Sequence, residues 1–337
     1  MSGRLDVGAC RISEMPHLRS LLNEVFITER DSSGDLFEFA PLLYSEANLQ
    51  NLRVVRSGSR LVGHAGILPR LIRWRGQQFQ AGLIGGVCAR QDLRGQGIGT
   101  IAMEDAARRM EEIGLDFGVL WTGSPGFYER LGWRTAGGIC VMGMQEAADT
   151  EIELHFEIMP LAESPFDPAK CHRLHEQAAR NEVVRTCEET EALLSIGGRE
   201  TFIALRGGRL GGYAVKTGET IREIEGDAAI CIALLHHLAA EGARQCIFAR
   251  SDPRIDAIEG ALPVNLQRRP LGMVLIVDRA SLLAKIADET GRSAGELGLG
   301  DDLSDDDLIA RVFGSPEDEP SEEPLPVDVH IDYLDHV

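Results

Sequence analysis

The stretch that decides the fold is RQDLRGQGIGT (residues 90–100), in which Gly95, Gly97 and Gly99 are spaced two residues apart. The segment after it has apolar residues on one face and charged residues on the other, which predicts an amphipathic helix. A glycine-rich turn that enters a helix presents unpaired backbone N–H groups at the positive end of the helix dipole. Because such groups bind phosphate and side chains would block the approach, the stretch predicts a phosphate-binding loop, to which Arg94 adds positive charge.

Three kinds of phosphate-binding loop can be compared with this stretch. A Walker loop requires a lysine after its last glycine, and none follows Gly99. A dinucleotide-binding fingerprint requires G-x-G-x-x-G at the start of a βαβ unit, whereas this stretch reads G-x-G-x-G-T and follows a predicted antiparallel meander. The remaining pattern is R-x-x-G-x-G on a strand–turn–helix, which is formed here by Arg94, Gly97 and Gly99.

The elements around the loop are predicted from hydrophobic periodicity. A helix is expected from about Glu14 to Ile27, followed by a three-stranded meander over residues 51–89 with Gly58 and Gly76 in its two tight connections. After the loop helix, DFGVLWTG predicts a strand, SPGFYERLGW a short helix and RTAGGICVMGM one further strand. The first third of the chain therefore mixes α and β elements.

Two motifs together resemble those of the GCN5-related N-acetyltransferase (GNAT) superfamily. R-x-x-G-x-G is similar to the acetyl-CoA loop of that family, and its second motif, F-Y-x-x-x-G-[FW], is matched by Phe127, Tyr128, Gly132 and Trp133. The resemblance covers about residues 5 to 145. It implies an α/β (α+β) fold of the GNAT type, a mixed and mostly antiparallel sheet with flanking helices.

The resemblance also implies a site for acetyl-CoA as cosubstrate. In the family, the strand before the loop offers its backbone to the pantetheine arm, the loop amides hold the pyrophosphate, and a later strand, matched by DFGVLW, splays away to admit the cofactor. The residues expected to hold the cofactor are Val87, Cys88, Ala89, Arg94, Gly95, Gln96, Gly97, Ile98, Gly99 and Thr100.

The chemistry implied by the family is direct attack of an amine on the thioester. The backbone N–H of Ala89 matches the family's donor to the developing oxyanion. Tyr128 matches the tyrosine that hydrogen-bonds the sulfur and acts as general acid. A packed aromatic residue at helical spacing is the alternative interpretation of Tyr128.

The general base is left open by the sequence. Glu29 and Glu38 precede the meander, where family members bind substrate, and His64 lies in a predicted strand; solvated loop charges and an ordinary strand histidine are the alternatives. The order of domains is also similar to that of the enhanced-intracellular-survival acetyltransferases, in which the terminal carboxylate is the base. That similarity makes Val337 a further candidate, although no full third domain fits after residue 290.

The second half of the chain repeats the order of elements without repeating the motifs. No R-x-x-G-x-G occurs there, and Asp227 opens the helix at the place where a pyrophosphate would lie. We therefore expect a degenerate, non-catalytic GNAT-like domain that forms one wall of the acceptor cleft. The predicted domains are a catalytic GNAT domain at 1–147, the degenerate domain at 152–290 and an acidic C-terminal extension at 291–337.

The composition indicates where the protein is expected to be located and whether it is expected to bind a metal. The 337 residues are 44% hydrophobic and 26% charged, which is ordinary for a globular protein, and no apolar run approaches the roughly 20 residues that span a bilayer. No export signal is evident, so the expected location is the cytoplasm. Seven scattered cysteines without a C-x-x-C pair argue against zinc or disulfides, and the histidine pairs 172/175 and 236/237 fit packed or surface residues, so we expect no metal.

Charge is unevenly distributed along the chain, and this distribution limits the classes of partner that we expect it to bind. The net charge is −19, of which residues 299–337 carry −12 through 13 acidic residues and one arginine. Such a chain should repel nucleic acid and anionic membranes and favour a small amine acceptor, in particular a cationic one. The alternatives are a catalytically silent acyl-CoA-binding regulator and a protein lysine or N-terminal acetyltransferase. The oligomeric state stays open.

Overall fold

The computed structural model describes residues 5–145, 147, 150, 155–178, 181–300, 302–318, 325–331 and 334–337. Its strands are β1 Leu5–Ala9, β2 Leu52–Ser57, β3 Arg60–Trp74, β4 Gln77–Ala89, β5 Phe117–Leu120, β6 Arg134–Ala136, β7 Ile139–Gly143, β8 Glu157–Pro160, β9 Val183–Val184, β10 Arg199–Arg206, β11 Arg209–Thr217, β12 Thr220–Glu225, β13 Gln245–Ala249, β14 Asn265–Arg269 and β15 Gly272–Ile276. Its α-helices are α1 Met15–Phe26, α2 Leu36–Phe39, α3 Ile98–Glu112, α4 Pro125–Glu129, α5 Ala169–Ala178, α6 Cys187–Leu194, α7 Ala228–Ala240, α8 Ile255–Ala261, α9 Arg279–Thr290 and α10 Asp305–Phe313.

The first sheet contains the predicted meander. Its strand order is β1-β2-β3-β4-β5-β15-β6, with β9 added beside β3. All pairs are antiparallel except β4 and β5, which run parallel. Gly58, with a φ of +61°, makes the tight β2–β3 turn, while the left-handed residue of the β3–β4 turn is Arg75 at φ +52° rather than Gly76. The mixed, mostly antiparallel sheet expected from the sequence is thus confirmed.

The second sheet repeats this plan in the C-terminal half. Its order is β14-β7-β13-β12-β11-β10-β8, and the β12–β13 pair is again the parallel one. A meander of β10, β11 and β12 precedes α7, just as β2, β3 and β4 precede α3. The chain therefore contains two sheets with the same order of elements, as the sequence predicted.

Each half of the chain supplies strands to the other half's sheet, which the sequence did not indicate. The segment predicted as one strand, RTAGGICVMGM, forms β6 in the first sheet and β7 in the second. The break falls at Gly137, whose φ is +70° and whose added Cβ would lie 2.7 Å from Leu271. In return, β15 enters the first sheet between β5 and β6. β7 and β15 thus each pair with strands beyond the predicted boundary at 147–152, because periodicity reveals a strand but not its partner.

Helices cover both faces of the first sheet. The apolar side of α3 packs on one face, and α1, α9 and α10 share a core on the other, where the Phe313 and Phe117 rings lie 5.0 Å apart. The C-terminal segment also docks, because Val327, Val329 and Ile331 are buried in that core. Residues 319–324 of this segment lie outside the described residues. No described helix is long and apolar enough to cross a membrane.

Candidate active site

The site lies where two parallel strands diverge. β4 pairs with β5 from Ala81 to Ile84, opposite Phe117 to Leu120. Beyond that point β4 continues to Ala89, whereas β5 ends, so residues 85–89 have no partner strand on this side within the described chain. The divergence opens a cavity of about 570 Å³.

The cavity is walled by the end of β4, the segment after β5 and the start of α4. It is lined by Phe26, Arg30, Ile84, Gly85, Gly86, Val87, Cys88, Ala89, Gly99, Leu120, Trp121, Thr122, Gly123, Ser124, Phe127, Tyr128 and Val337. The structure thus brings together the predicted β4 residues, the loop helix and Tyr128.

The backbone of β4 exposes a hydrogen-bond donor to this cavity. The N–H of Arg90 donates to the carbonyl oxygen of Val62 on β3, at 2.9 Å. Because successive amides along a strand point to opposite sides, the N–H of Ala89 points away from β3, toward the edge that β5 leaves open. The Ala89 carbonyl oxygen faces the same way and accepts from Arg94 Nε at 3.4 Å.

The glycine loop enters α3 with its backbone exposed. A short 3₁₀ turn at Gln91–Leu93 precedes Gly95 and Gly97, whose φ angles are +77° and +81°. A Cβ added at Gly95 or Gly97 would meet no heavy atom within 4 Å, whereas one at Gly99 would lie 3.3 Å from the Phe127 ring. The first N–H groups of α3 lack acceptors within the helix, so the loop offers an open, positively polarised surface.

The charged loop residues lie differently from the acceptor site that was expected. Glu29 forms an ion pair with Arg94, at 2.5 Å from Nη2, and so borders the cofactor loop. Glu38 is largely exposed, pairs with Arg19 at 3.3 Å and does not line the cavity. The sequence could not distinguish these positions because both lie on polar, solvent-facing segments.

Tyr128 lies on the wall opposite β4. Its half-buried side chain projects from α4, with the Phe127 ring 4.8 Å away in an edge-on arrangement. Burial raises the pKa of the Tyr128 hydroxyl above 10, and a hydrogen bond with Thr122 opposes the shift. The hydroxyl is therefore protonated at neutral pH and can donate a hydrogen bond.

His64 lies behind β4 rather than in the cavity. It is fully buried, and its Nδ1 is 2.8 Å from the carbonyl oxygen of Gly86. Since a carbonyl only accepts, Nδ1 carries the proton in the neutral ring. Burial lowers the pKa of His64 to about 4, an effect that the hydrogen bond with Gly86 partly offsets. The ring supports the β4 bulge at Gly86, whose φ is +62°.

Val337 does lie in the cavity. A Cβ added at Gly85 would lie 2.8 Å from the carbonyl carbon of Val337, so the absence of a side chain there makes room for this residue. Beside it, the His336 ring stacks on Trp121 with ring centres 3.6 Å apart. Sequence reasoning missed Trp121 and the Gly85–Gly86 pair; two adjacent glycines inside a strand are the signal that could have found the bulge.

The equivalent gap in the second sheet is filled by protein. β12 and β13 pair only at Thr220–Ile221, and beyond them Arg254 donates to the carbonyl oxygens of Ile224 and Gly226 at 3.1 and 3.2 Å. Asp227 caps α7 by accepting from the N–H of Ile230 at 2.9 Å. A guanidinium and a carboxylate thus occupy the places that stay open in the first sheet.

The second unit also contains a buried group of metal-ligating residue types. His175, Glu182 and Glu225 offer ligand atoms within 4.8 Å of one another, although the sequence suggested no third ligand near this histidine. Burial disfavours the charged ring, but the carboxylates of Glu225 and Glu182, at 3.4 and 3.8 Å from Nδ1, outweigh it and raise the pKa of His175 to about 10. The ring therefore holds a proton against these carboxylates, and the absence of a metal stays a prediction.

Comparison with known proteins agrees with this geometry. Residues 7–136 match the family model described as "Acetyltransferase (GNAT) domain". Among solved structures, the chain is similar to a GCN5-related N-acetyltransferase from Kribbella flavida (16% identity, 84% of this chain and 74% of that chain, TM-score 0.64). It is also similar to one from Anabaena variabilis (18%, 84% and 75%, 0.64) and to Eis1 from Mycobacterium abscessus (14%, 84% and 76%, 0.59).

No curated protein matches the sequence. The structural similarities, all below 20% identity, speak for the fold, and the match at residues 7–136 identifies the domain that carries the open strand edge and the glycine loop. Residues 7–136 therefore match a GNAT acetyltransferase domain, and the chain as a whole has a fold of the GNAT type.

Proposed function

We propose that the chain is an N-acetyltransferase that moves an acetyl group from acetyl-CoA to a primary amine of a small acceptor by direct attack. The observation that carries the proposal is one continuous surface. An exposed glycine loop at the start of α3 leads into the open edge of β4, with a protonated phenol on the facing wall.

The loop is suited to the diphosphate of coenzyme A. Its amides from Gly95 to Thr100 lie at the positive end of α3, and an added Cβ at Gly95 or Gly97 would point into open space. The pantetheine arm then lies along Val87 to Ala89, where the edge of β4 replaces the hydrogen bonds that a neighbouring strand would make.

The protein groups divide the chemistry among them. The amine nitrogen bonds to the acyl carbon, and the N–H of Ala89 donates to the oxygen as negative charge develops on it. The C–S bond then breaks, and the electron pair leaves with sulfur. A free thiol has a pKa of about 8.5, so the departing thiolate takes up a proton at neutral pH. Tyr128 donates this proton to the sulfur as the C–S bond breaks.

The base in this proposal is the carboxyl group of Val337, the last residue of the printed sequence. Val337 lines the cavity next to Gly85, whereas Glu38 lies outside it and His64 lies behind the strand. Appending one glycine after Val337 should move the carboxylate and lower kcat about a hundredfold, while Val337→Ala, which keeps it in place, should retain most activity. Equal activity in the glycine-extended and parent chains would exclude this base.

The decisive experiment compares the parent chain with Tyr128→Phe. We expect the parent to acetylate small primary amines and the variant to bind coenzyme A with unchanged affinity but turn over about a hundredfold more slowly. Transfer rates over an amine panel and calorimetric titration with coenzyme A give both quantities. Tight binding of acetyl-CoA with no transfer to any amine would instead support the silent, acyl-CoA-binding alternative.

The acceptor is proposed to be cationic on grounds of charge. Residues 299–337 carry −12, which attracts positively charged amines at low ionic strength. Rates for cationic amines should therefore fall with added salt, while those for neutral amines should not. A lysine-containing peptide belongs in the same panel, since faster transfer to it than to small amines would favour the protein-acetyltransferase alternative.

A further inference from the structure

The last four residues are held by different parts of the molecule. Leu334 is fully buried in a cluster of the second unit, together with the side chain of Tyr213. His336 stacks on Trp121, just beyond β5, and Val337 lies at the floor of the cavity. Asp335 lies between these contacts, where the two units meet.

The Asp335 carboxylate is bound by two guanidinium groups. Arg185 approaches it with Nε at 3.0 and 3.2 Å from the two oxygens and with Nη2 at 2.5 Å from Oδ2. Arg70 adds a contact from Nη2 to Oδ1 at 3.3 Å. The side chains of Asp335 and Arg185 are completely buried, and that of Arg70 nearly so. Charged hydrogen bonds in such an environment are strong and directional.

The two arginines are themselves fixed by both units. Arg185 precedes α6 and donates from Nη2 to Glu223 on β12, at 2.6 Å, and Glu223 also accepts from the Tyr213 hydroxyl. Arg70 projects from β3 of the first sheet. The carboxylate of Asp335 is therefore held in a frame that spans both sheets.

We propose that Asp335 is a positioning residue that fixes the carboxyl group of Val337 over the acyl carbon. This rests on the proposed function, in which that group is the base. A base acts only within hydrogen-bond reach of the proton it removes, and a displacement of about 1 Å can cost a hundredfold in rate. Asp335 lies two residues before Val337, and its partners Arg70 and Arg185 tie it to both sheets.

The test is Asp335→Asn, which preserves shape and removes the charge. We expect a folded variant with unchanged affinity for coenzyme A and a kcat that is lower by tenfold to about a hundredfold at pH 7. The deficit should shrink as the pH rises toward the pKa of the amine, because a deprotonated amine needs no base. It should also be smaller for an arylamine acceptor, which is neutral at pH 7.

A matched control is Asp252→Asn. Asp252 is a buried aspartate that accepts from Arg254 at 2.8 and 2.5 Å, within the second unit. The Asp252→Asn variant should lose free energy of unfolding, as Asp335→Asn does. Its kcat should show no deficit that depends on pH or on the acceptor. If Asp335→Asn fails to fold, Arg70→Gln, which removes the weakest contact to the carboxylate, should show the same pattern at smaller size.

Wild-type kcat in folded Asp335→Asn would overturn the proposal, as would a deficit equal at every pH and for every acceptor. The glycine-extended chain separates this failure from failure of the proposed base. If extension abolishes turnover while Asp335→Asn is normal, the base stands and the positioning role falls. If extension has no effect, the base itself is wrong.

Discussion

At the scale of single residues, the proposed cofactor loop depends on glycines that adopt backbone angles other residues avoid. Gly97 immediately precedes α3 at φ +81°, and Gly114 follows the same helix at φ +71°. Neither has a heavy atom within 4 Å of an added Cβ, so crowding does not distinguish them. They differ in location, since only Gly97 borders the proposed diphosphate site.

Gly97→Ala should therefore weaken coenzyme A binding by tenfold or more, because the methyl group occupies space that the diphosphate needs and the loop moves from its left-handed angle. Gly114→Ala is the matched control. Each substitution should lower the free energy of unfolding by about 1–2 kcal/mol, the cost of a left-handed non-glycine residue. Calorimetric titration and urea unfolding measure the two effects, and equal affinities in both variants would contradict the proposed loop function.

The residues that sequence could assign to the site are those with a local signal. R-x-x-G-x-G and F-Y-x-x-x-G-[FW] pointed to the loop and to Tyr128, which border one cavity. Glu38 and His64 lie in no such motif. The type of a charged or titratable residue alone does not predict whether its side chain will lie in a cleft, in solvent or behind a strand. Trp121 could not be assigned to the site from the sequence, because its position depends on the pairing of β5 with β15.

At the scale of elements, α9 is tied to the first sheet by one buried carboxylate. Asp116, just before β5, is completely buried and accepts from the N–H of Gln80, from Ser281 Oγ and from Lys285 Nζ, each at 2.6 Å. The first donor belongs to β4, and the other two belong to α9. This carboxylate thus joins the strand pair that opens into the cavity to a helix nearly 170 positions later in the chain.

Asp116→Asn should lower the free energy of unfolding by about 2 kcal/mol, because the amide cannot accept all three bonds and Lys285 loses its partner. The estimate is kept modest since Lys285 is partly exposed and water replaces part of the interaction. Asp288→Asn is the control, because it removes the charge of an exposed α9 side chain that accepts from Gln77 at 2.6 Å. This substitution should change the free energy of unfolding by less than about 0.5 kcal/mol. Urea unfolding of both variants measures this, and similar losses would mean that the buried contacts contribute little.

Individual helices and strands were predictable, but their partners were not. The meander and the loop helix appear where periodicity predicted them. The exchange of β7 and β15 between sheets was not predictable, because both are short apolar runs that could complete either sheet. Only the competition between the two units for these strands decides it.

At the scale of the whole molecule, the exchanged strands and the C-terminal segment bind the two units into one structure. β7 cannot leave the second sheet, or β15 the first, without opening a core in each unit. The same packing buries neutral imidazoles. Burial lowers the pKa of His64 to about 4 and that of His336 to about 3, from 6.5.

The fold should consequently weaken in mild acid, with a sign that follows from these shifts. The unfolded chain binds protons at these histidines more readily than the folded chain, so their contribution to stability is complete above about pH 6.5 and is lost as the pH falls toward 4 and 3. Each histidine should add a slope of roughly 1.4 kcal/mol per pH unit to the free energy of unfolding over that window.

The test is His336→Phe, which keeps a ring on Trp121. Its free energy of unfolding should fall less steeply than that of the parent between pH 6.5 and 5. His17→Gln, which removes an exposed histidine, serves as control. Urea unfolding at half-unit pH steps measures the slopes. Parallel slopes in the parent and His336→Phe would show that the ring beside Val337 is not held neutral, and that acid does not act on the fold through the C-terminal segment.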